Sequence, residues 1–413
     1  MKFTTNSIKS CAARVGILSE FRRIPNSSFE TPLALIYTKG GSVPHLTKDV
    51  FQMVTTNPQL LSVSLTSTLS MIESVKYSNS NFANFVGMKE YINFLTINDP
   101  SYTTPSGHYH QHCVPVWTRK GKLSLTADQY MDVVEAFKPD MYVAIYDGDT
   151  NIYSSKKRTT KAVQRSMPLF EQCYIRHCAS ENLKSSEILG VVVGGYDIEA
   201  RTTSINHLQS KSLIGYVIDG LHNNGPDVKD IPLEQIKEVL EHTINLLPAE
   251  KLKVCMGCWN PLTVLDLIEL GIDVFDTSYP YVVTESLQAL TFLCDHDNCK
   301  NVGHAISLKE ERYTEDFSPI CSHCECLACK NHTKAYLHHL CTTKELLCTV
   351  LLMIHNTHQY LEFFKIIRES IKNSTFEDCK KKINLKFKEE DVIQADEPTN
   401  TEGKTYKGSY RRF

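Results

Sequence analysis

Between about residues 85 and 280, short β-branched runs alternate with amphipathic helical stretches, and no other feature restricts the fold as strongly. Alternation of this kind marks βαβ units, in which helical crossovers join parallel strands. "INFLTI" at Ile92, "MYVAIYD" ending at Asp147, "ILGVVVGGY" at Ile188, "IGYVIDG" at Ile214, "KVCMGC" at Lys253 and "IDVFDT" at Ile272 read as strands. Between them, "LEQIKEVLEHTINLL" repeats Leu233, Ile236, Val239, Leu240 and Ile244 at helical spacing. "LALIYT" at Leu33 and the Leu60 to Leu65 region bring the strands to about eight. That count predicts an α/β fold, a closed (β/α)8 TIM barrel, in preference to an open doubly wound sheet.

After Ser286 the alternation breaks into a polar segment bearing cysteine and histidine, followed by one long helix from about Thr343 to Ile371. The expected organisation is therefore a main barrel over 1–290, a zinc-binding insertion over 291–342 and a closing helix over 343–372 that offers a histidine as a candidate fourth zinc ligand. Residues 373–413 are polar and apolar-poor, which predicts a flexible tail. Apolar residues at 42% and charged residues at 22% describe a globular chain, and a net charge of −3 gives no whole-chain field for nucleic acid. Any such contact must be a local patch. Fifteen cysteines would suggest disulfides in a secreted chain, but "MKFTTNSIKSCAARVG" lacks an apolar signal region, so reduced thiols in the cytoplasm are expected. With no apolar run long enough to span a bilayer, no transmembrane helix is expected.

The stretch "PICSHCECLACKNH" places Cys321, Cys324, Cys326 and Cys329 in C-x2-C-x-C-x2-C spacing. Zinc takes four tetrahedral ligands, and close spacing lowers the chain entropy lost when thiolates converge on one ion. On spacing alone the fourth partner of Cys324, Cys326 and Cys329 is Cys321, His323, His332 or a histidine from another element. The long helix offers His355, one turn beyond Leu351 and Leu352 and so on their buried face, with His358 as its nearest competitor. Three thiolates and one imidazole leave no open coordination position, which makes the expected zinc structural.

Asp99, Asp147, Asp219 and Asp276 lie at or just after expected strands, where a (β/α)8 barrel carries its functional groups. Two of them facing each other could supply a nucleophile and a general acid or base, although each is also an ordinary loop or cap residue. Lys156, Lys157, Arg158, Lys161 and Arg165 in "SSKKRTTKAVQR" form either a nucleic-acid contact or a solvated helix face, and the terminal "KGSYRRF" reads the same two ways.

The cysteine segment together with "LLMIHNTHQYLEFF" resembles the zinc region of the tRNA-guanine transglycosylases, C-x-C-x2-C followed by a histidine in an H-N-x3-[FY]-like helix. "ELGIDVFDTSYP" is similar to that family's nucleophile strand and "GYVIDGL" to its base-binding loop, over about Ala34 to Ile371. The resemblance implies a barrel in which Cys324, Cys326, Cys329 and His355 bind one zinc, with Cys321 outside the set. Enzymes of the family exchange guanine at the tRNA wobble position for a deazaguanine base such as queuine, in tRNAs with G-U-N anticodons (Asp, Asn, His, Tyr).

Asp276 stands at the family's nucleophile position, but the rest of that site departs from the pattern. Asp99 is followed by Pro100 where the family has Asp-Ser-Gly-Gly-Phe-Gln, and Val193 replaces the glutamine that reads the base before Gly194 and Gly195. Asp219 replaces a loop glycine, Gly148 a glutamate, and Pro280-Tyr281-Val282 a Pro-Thr-Arg. Asp276 therefore reads as vestigial. The resemblance implies a non-catalytic family member that pairs with a catalytic subunit and meets tRNA through that heterodimer. It further implies a cytoplasmic location, with peripheral association to the mitochondrial outer membrane; a homodimer of the isolated chain stays open. The rival expectation is an active homodimeric transglycosylase using Asp276 with Asp99.

Overall fold

The structure, a computed structural model, describes residues 1–6, 12–294 and 303–396, with side chains described to residue 388 at the far end. Eight strands form a closed barrel: β1 Leu33–Thr38, β2 Leu60–Ser64, β3 Ile92–Thr96, β4 Met141–Val143, β5 Glu187–Val192, β6 Gly215–Ile218, β7 Leu252–Val254 and β8 Val274–Asp276. Each pairs in parallel with its neighbours in sequence, and β8 closes the ring on β1 through Val274 opposite Leu33 and Asp276 opposite Leu35. Every residue of β1, β2 and β3 is buried, as expected for parallel strands with side chains packed inside the ring and helices outside it. The eight expected strands are the eight barrel strands.

The outer layer includes α1 Ala127–Phe137, α2 Lys156–Ala179, α3 Ile198–Gln209, α4 Leu233–Leu246 and α5 Pro261–Leu270. Their starts follow from local chemistry. Thr126 and Gln129 form a reciprocal capping box on α1, Ser155 and Asp197 cap α2 and α3, and Asn260 with Pro261 opens α5. No helix among the described residues is long and apolar enough to cross a membrane.

An antiparallel sheet that the alternation did not reveal, Lys2–Asn6, Val15–Ser19 and Phe29–Thr31, precedes the barrel. Arg14, just before its second strand, holds buried Asp273 at the foot of β8 through contacts of 2.7 and 2.8 Å. Arg23 likewise holds Asp140 at the foot of β4, at 2.6 and 2.9 Å. Two buried carboxylates at the bottom of the barrel thus pin the sheet, at the end of the fold that serves stability.

After β8 come α6 Ser278–Glu285, a hairpin of Gln288–Leu290 with Ala305–Ser307, short helices α7 Leu327–Asn331 and α8 Lys334–Thr342, and the 27-residue α9 Leu346–Lys372. Within the tail expected to be flexible, Phe376–Asp396 forms a further helix, α10, and residues 397–413 lie outside the described residues. Phe376 and Ile383 are buried, Phe387 stacks on His304 at 4.0 Å, and Lys380 reaches Asp266 at 2.6 Å and Glu269 at 2.5 Å. A sparse apolar stripe suffices because the barrel supplies the opposing surface. The "KGSYRRF" motif lies outside the described residues.

Candidate functional site

Cys324 and Cys326 sit on the turn entering α7, where Cys326 is the N-cap and its Sγ accepts the N–H of Cys329 at 3.4 Å. The turn folds the three thiols onto one point, and α9 brings His355 to it. Ligand atoms of Cys324, Cys326, Cys329 and His355 all lie within 4.8 Å of one another, and all four residues are buried. Distances from His355 Nδ1 to the three Sγ atoms are 3.7, 3.5 and 3.3 Å. With metal–sulfur bonds of about 2.3 Å and metal–nitrogen bonds of about 2.0–2.1 Å, a tetrahedral zinc site has S···N edges of about 3.6 Å. The donor set can therefore hold a tetrahedral metal ion, and four protein donors close its shell.

The backbone assigns the histidine its tautomer. His355 Nε2 donates to the carbonyl of Leu290 at 2.8 Å, which leaves Nδ1 free of its proton and facing the thiols. Asn356 grips the same strand: its Oδ1 accepts the N–H of Leu290 at 2.8 Å, and its Nδ2 donates to Gln288 O at 3.0 Å and Thr284 Oγ1 at 2.9 Å. The His-Asn pair thus ties the metal cluster, the hairpin and α6 together. Cys321 hydrogen-bonds Cys294 and lies outside the four-residue cluster. His358 approaches Cys324 at 3.6 Å but is not part of the cluster, and His332 stacks on Tyr336 instead.

Asp276 ends β8 with 2% exposure, accepting the N–H of Gly257 and that of Ser278, each at 2.7 Å. Burial pushes its carboxyl up to about 6, opposed by the hydrogen bonds of Ser278 and Gly257 and reinforced by the nearby charge of Asp99. Asp99 is buried as well, accepting from Tyr37 Oη at 2.8 Å, from the N–H of Ser101 at 3.0 Å and from Ser101 Oγ at 2.8 Å. Burial and the charge of Asp99 hold the Tyr37 phenol far above its ordinary range, so it stays a donor. The Tyr281 ring lies 4.9 Å from that of Tyr37, and Lys39 Nζ donates to the hydroxyls of Tyr281 at 2.8 Å and Tyr102 at 2.6 Å. Asp99 is close enough for its charge to act on Asp276, and its own partner Tyr37 packs beneath Tyr281 and Lys39.

Asp147 and Asp219 are committed elsewhere. Arg165 pairs with Asp147 at 3.0 Å, and Arg158 makes a closer contact with the same carboxylate. This divides the expected basic face of α2, because Arg158 and Arg165 turn inward. Lys156 pairs with Glu199 at 2.7 Å, while Lys157 and Lys161 are exposed with no ion-pair partner among the described residues. Asp219 takes the hydroxyl of Tyr146.

Arg201, which the sequence reading did not single out, is fully buried and donates to Gly195 O at 2.7 Å and Asp219 O at 2.9 Å, joining two loops at the top of the barrel. Burial brings its guanidinium down to about 10. Gly194, at φ +132°, is required there: a Cβ would lie 2.8 Å from the Arg201 nitrogen. Its interior setting on α3 becomes visible only once the loops are in place.

What remains between these loops is a cavity of about 30 Å³ lined by Thr96, Asn98, Tyr146, Asp219 and Met256, among others. That volume admits one or two waters and no purine. At Gly148 a Cβ would lie 2.6 Å from the Tyr146 ring, so the glutamate expected by resemblance has no room in this arrangement.

The sequence profile described as "Queuine tRNA-ribosyltransferase" matches residues 9–389. A protein of Aedes aegypti named "Queuine tRNA-ribosyltransferase accessory subunit 2" is 39% identical over 402 residues, covering 96% of this chain and 94% of that protein. Proteins of the same name in Drosophila virilis and Drosophila melanogaster are 39% and 41% identical, covering 97% and 91% of this chain and 96% and 90% of their own lengths. With barrel, cysteine segment and closing helix all inside these matches, the chain belongs to the queuine tRNA-ribosyltransferase family.

Proposed function

We propose that this chain is the non-catalytic subunit of a heterodimeric queuine tRNA-ribosyltransferase, which exchanges guanine for queuine at the wobble position of tRNAs with G-U-N anticodons (Asp, Asn, His, Tyr). The observation that carries the reading is the closed pocket: a cavity of about 30 Å³ beside Asp219, where the family's base would sit. Asp276 supports it, since it is buried and each of its carboxylate oxygens accepts a backbone N–H. The names of the relatives supply the accessory role and imply a catalytic partner.

The bound metal is Zn2+, one per chain and structural, because three thiolates and one imidazole suit a closed zinc shell. Leu346 (85% exposed) and Leu347 (41%) stand exposed at the start of α9, with Tyr336 (39%) on α8, and we assign the catalytic subunit to this part of the surface. The complex resides in the cytoplasm and peripherally at the mitochondrial outer membrane, which fractionation of tagged chain checks.

The deciding experiment is labelled-guanine exchange into tRNA with this chain alone, its catalytic partner alone and the two together. Activity is expected only where the partner is present, highest for the mixture and unchanged by Asp276→Asn in this chain. Turnover by this chain alone that disappears in Asp276→Asn would establish the rival, an active homodimeric enzyme.

A further inference from the structure

Away from the barrel mouth, two cysteines outside the metal cluster lie beneath the turn that joins α8 to α9. Cys341 sits in the last turn of α8 and Cys348 in the first turn of α9, both buried, while residues 342–347 between them are all exposed. The turn is tightly built. Lys344 N–H donates to Cys341 O at 3.3 Å, Glu345 N–H to Leu340 O at 2.9 Å and Cys348 N–H to Glu345 O at 3.1 Å, and Lys344 reverses the chain at φ +59°. The two side chains are thereby laid against each other, and the Cys348 thiol donates to the Cys341 sulfur.

That hydrogen bond holds the Cys341 thiol below its ordinary range against the effect of burial, helped by the charge of Lys309, and pushes the Cys348 thiol far above its own. Cys341 is therefore the thiolate of the pair. Access comes through the same turn: no side chain caps the N-terminus of α9, and a positive φ at a residue with a Cβ stores strain, so the exposed turn opens readily. A second hydrogen-bonded thiol pair, Cys294 with Cys321, is less free to close. Cys321 O accepts the N–H of Cys324 at 3.2 Å, which makes it part of the turn that carries a metal donor.

We propose that Cys341 and Cys348 are a reversible oxidation site: a low-molecular-weight disulfide such as glutathione disulfide is the oxidant, and the product is an internal disulfide that staples α8 to α9. The Cys341 sulfur attacks one sulfur of the oxidant, forming a mixed disulfide as the oxidant's S–S bond breaks and releases one thiol. The Cys348 sulfur then attacks the Cys341 sulfur, forming the internal S–S bond and releasing the second thiol. Two protein thiols are oxidised, one small disulfide is reduced, and both protons leave on the released thiols. Cys348 shares the face of α9 that carries His355 two turns later, so the staple restrains the metal-binding helix without using any of its donors. The site does not depend on the function proposed above.

The test incubates the full, reduced, metal-loaded chain in glutathione buffers of rising disulfide-to-thiol ratio, quenches in acid, alkylates the remaining thiols and maps every linkage by mass spectrometry. One internal cross-link is expected, Cys341 to Cys348, reversed by dithiothreitol and formed with the metal still bound. Amide exchange in residues 343–347 should slow at least threefold in the cross-linked chain.

Single variants separate the two roles, while the mapping on the native chain needs no substitution at all. Cys348→Ala is expected to trap the mixed disulfide on Cys341, and Cys341→Ala to leave Cys348 without an adduct. Several results would overturn the proposal: Cys341 and Cys348 both alkylated across the whole series, a first internal cross-link at Cys294 or at Cys324, Cys326 or Cys329, loss of the metal at the ratio that oxidises the pair, or unchanged exchange in residues 343–347. A mixed disulfide on Cys348 in the Cys341→Ala chain would do the same.

Discussion

Asp276 illustrates how one retained residue changes meaning with its surroundings. Its folded carboxyl holds a proton up to about pH 6, whereas an unfolded aspartate releases it near about 4. The stability this contributes is fully present below about pH 4 and is lost as pH rises through about 6, by about 3 kcal/mol. Urea unfolding between pH 4 and 7 is expected to show that loss in the native chain and not in Asp276→Asn; parallel curves would refute it. Arg158 yields a second prediction at this scale. Arg158→Ala leaves buried Asp147 with Arg165 alone and is expected to destabilise the chain by about 3 kcal/mol, the low end for a broken buried pair. Lys157→Ala with Lys161→Ala should leave the melting temperature unchanged, since both side chains are exposed. Calorimetry separates the two cases.

Among the elements, α9 depends most on the metal. His355 and Asn356, adjacent on one helix, satisfy both backbone groups of Leu290, so loss of the ion loosens the hairpin and α6 as well as α7. Chelation is expected to raise amide exchange in Gln288–Leu290, Leu327–Asn331 and the middle of α9 while β1 to β8 stay protected. Metal analysis should find about one ion per chain in Cys321→Ser and none in Cys326→Ser, and loss of the ion in the former would place Cys321 in the shell. For α10, deleting residues from Phe376 onward removes two buried apolar side chains and the Lys380 pairs, an expected loss of about 4 kcal/mol. A truncated chain of unchanged melting temperature would show that the helix contributes nothing to the barrel.

Across the whole molecule, the barrel carries a closed pocket on one face, a pinned sheet on the other and an appendage whose Cys324, Cys326, Cys329 and His355 can hold a metal ion, with exposed Leu346 and Leu347 at its side. Leu346→Asp with Leu347→Asp is expected to weaken heterodimer formation at least tenfold without lowering the melting temperature of the isolated chain. Sedimentation of the mixed subunits measures it, and unchanged association would move the interface elsewhere. The sequence by itself determined the eight strands and the cysteine segment, because strand periodicity and thiolate spacing are local properties that each segment declares alone; which histidine joins the three thiols, His355, was decided by α9 folding onto them. Only the tertiary structure decided that the pocket is shut and that two of the five basic residues, Arg158 and Arg165, face inward. Those outcomes depend on partners far apart in the chain, such as Tyr146 and Asp219, 73 positions distant and both lining the small cavity, and on which of several polar groups each buried charge meets first. The N-terminal sheet and α10 stayed illegible for the same reason: their stabilising surfaces belong to the barrel, and neither segment carries enough apolar pattern to announce itself.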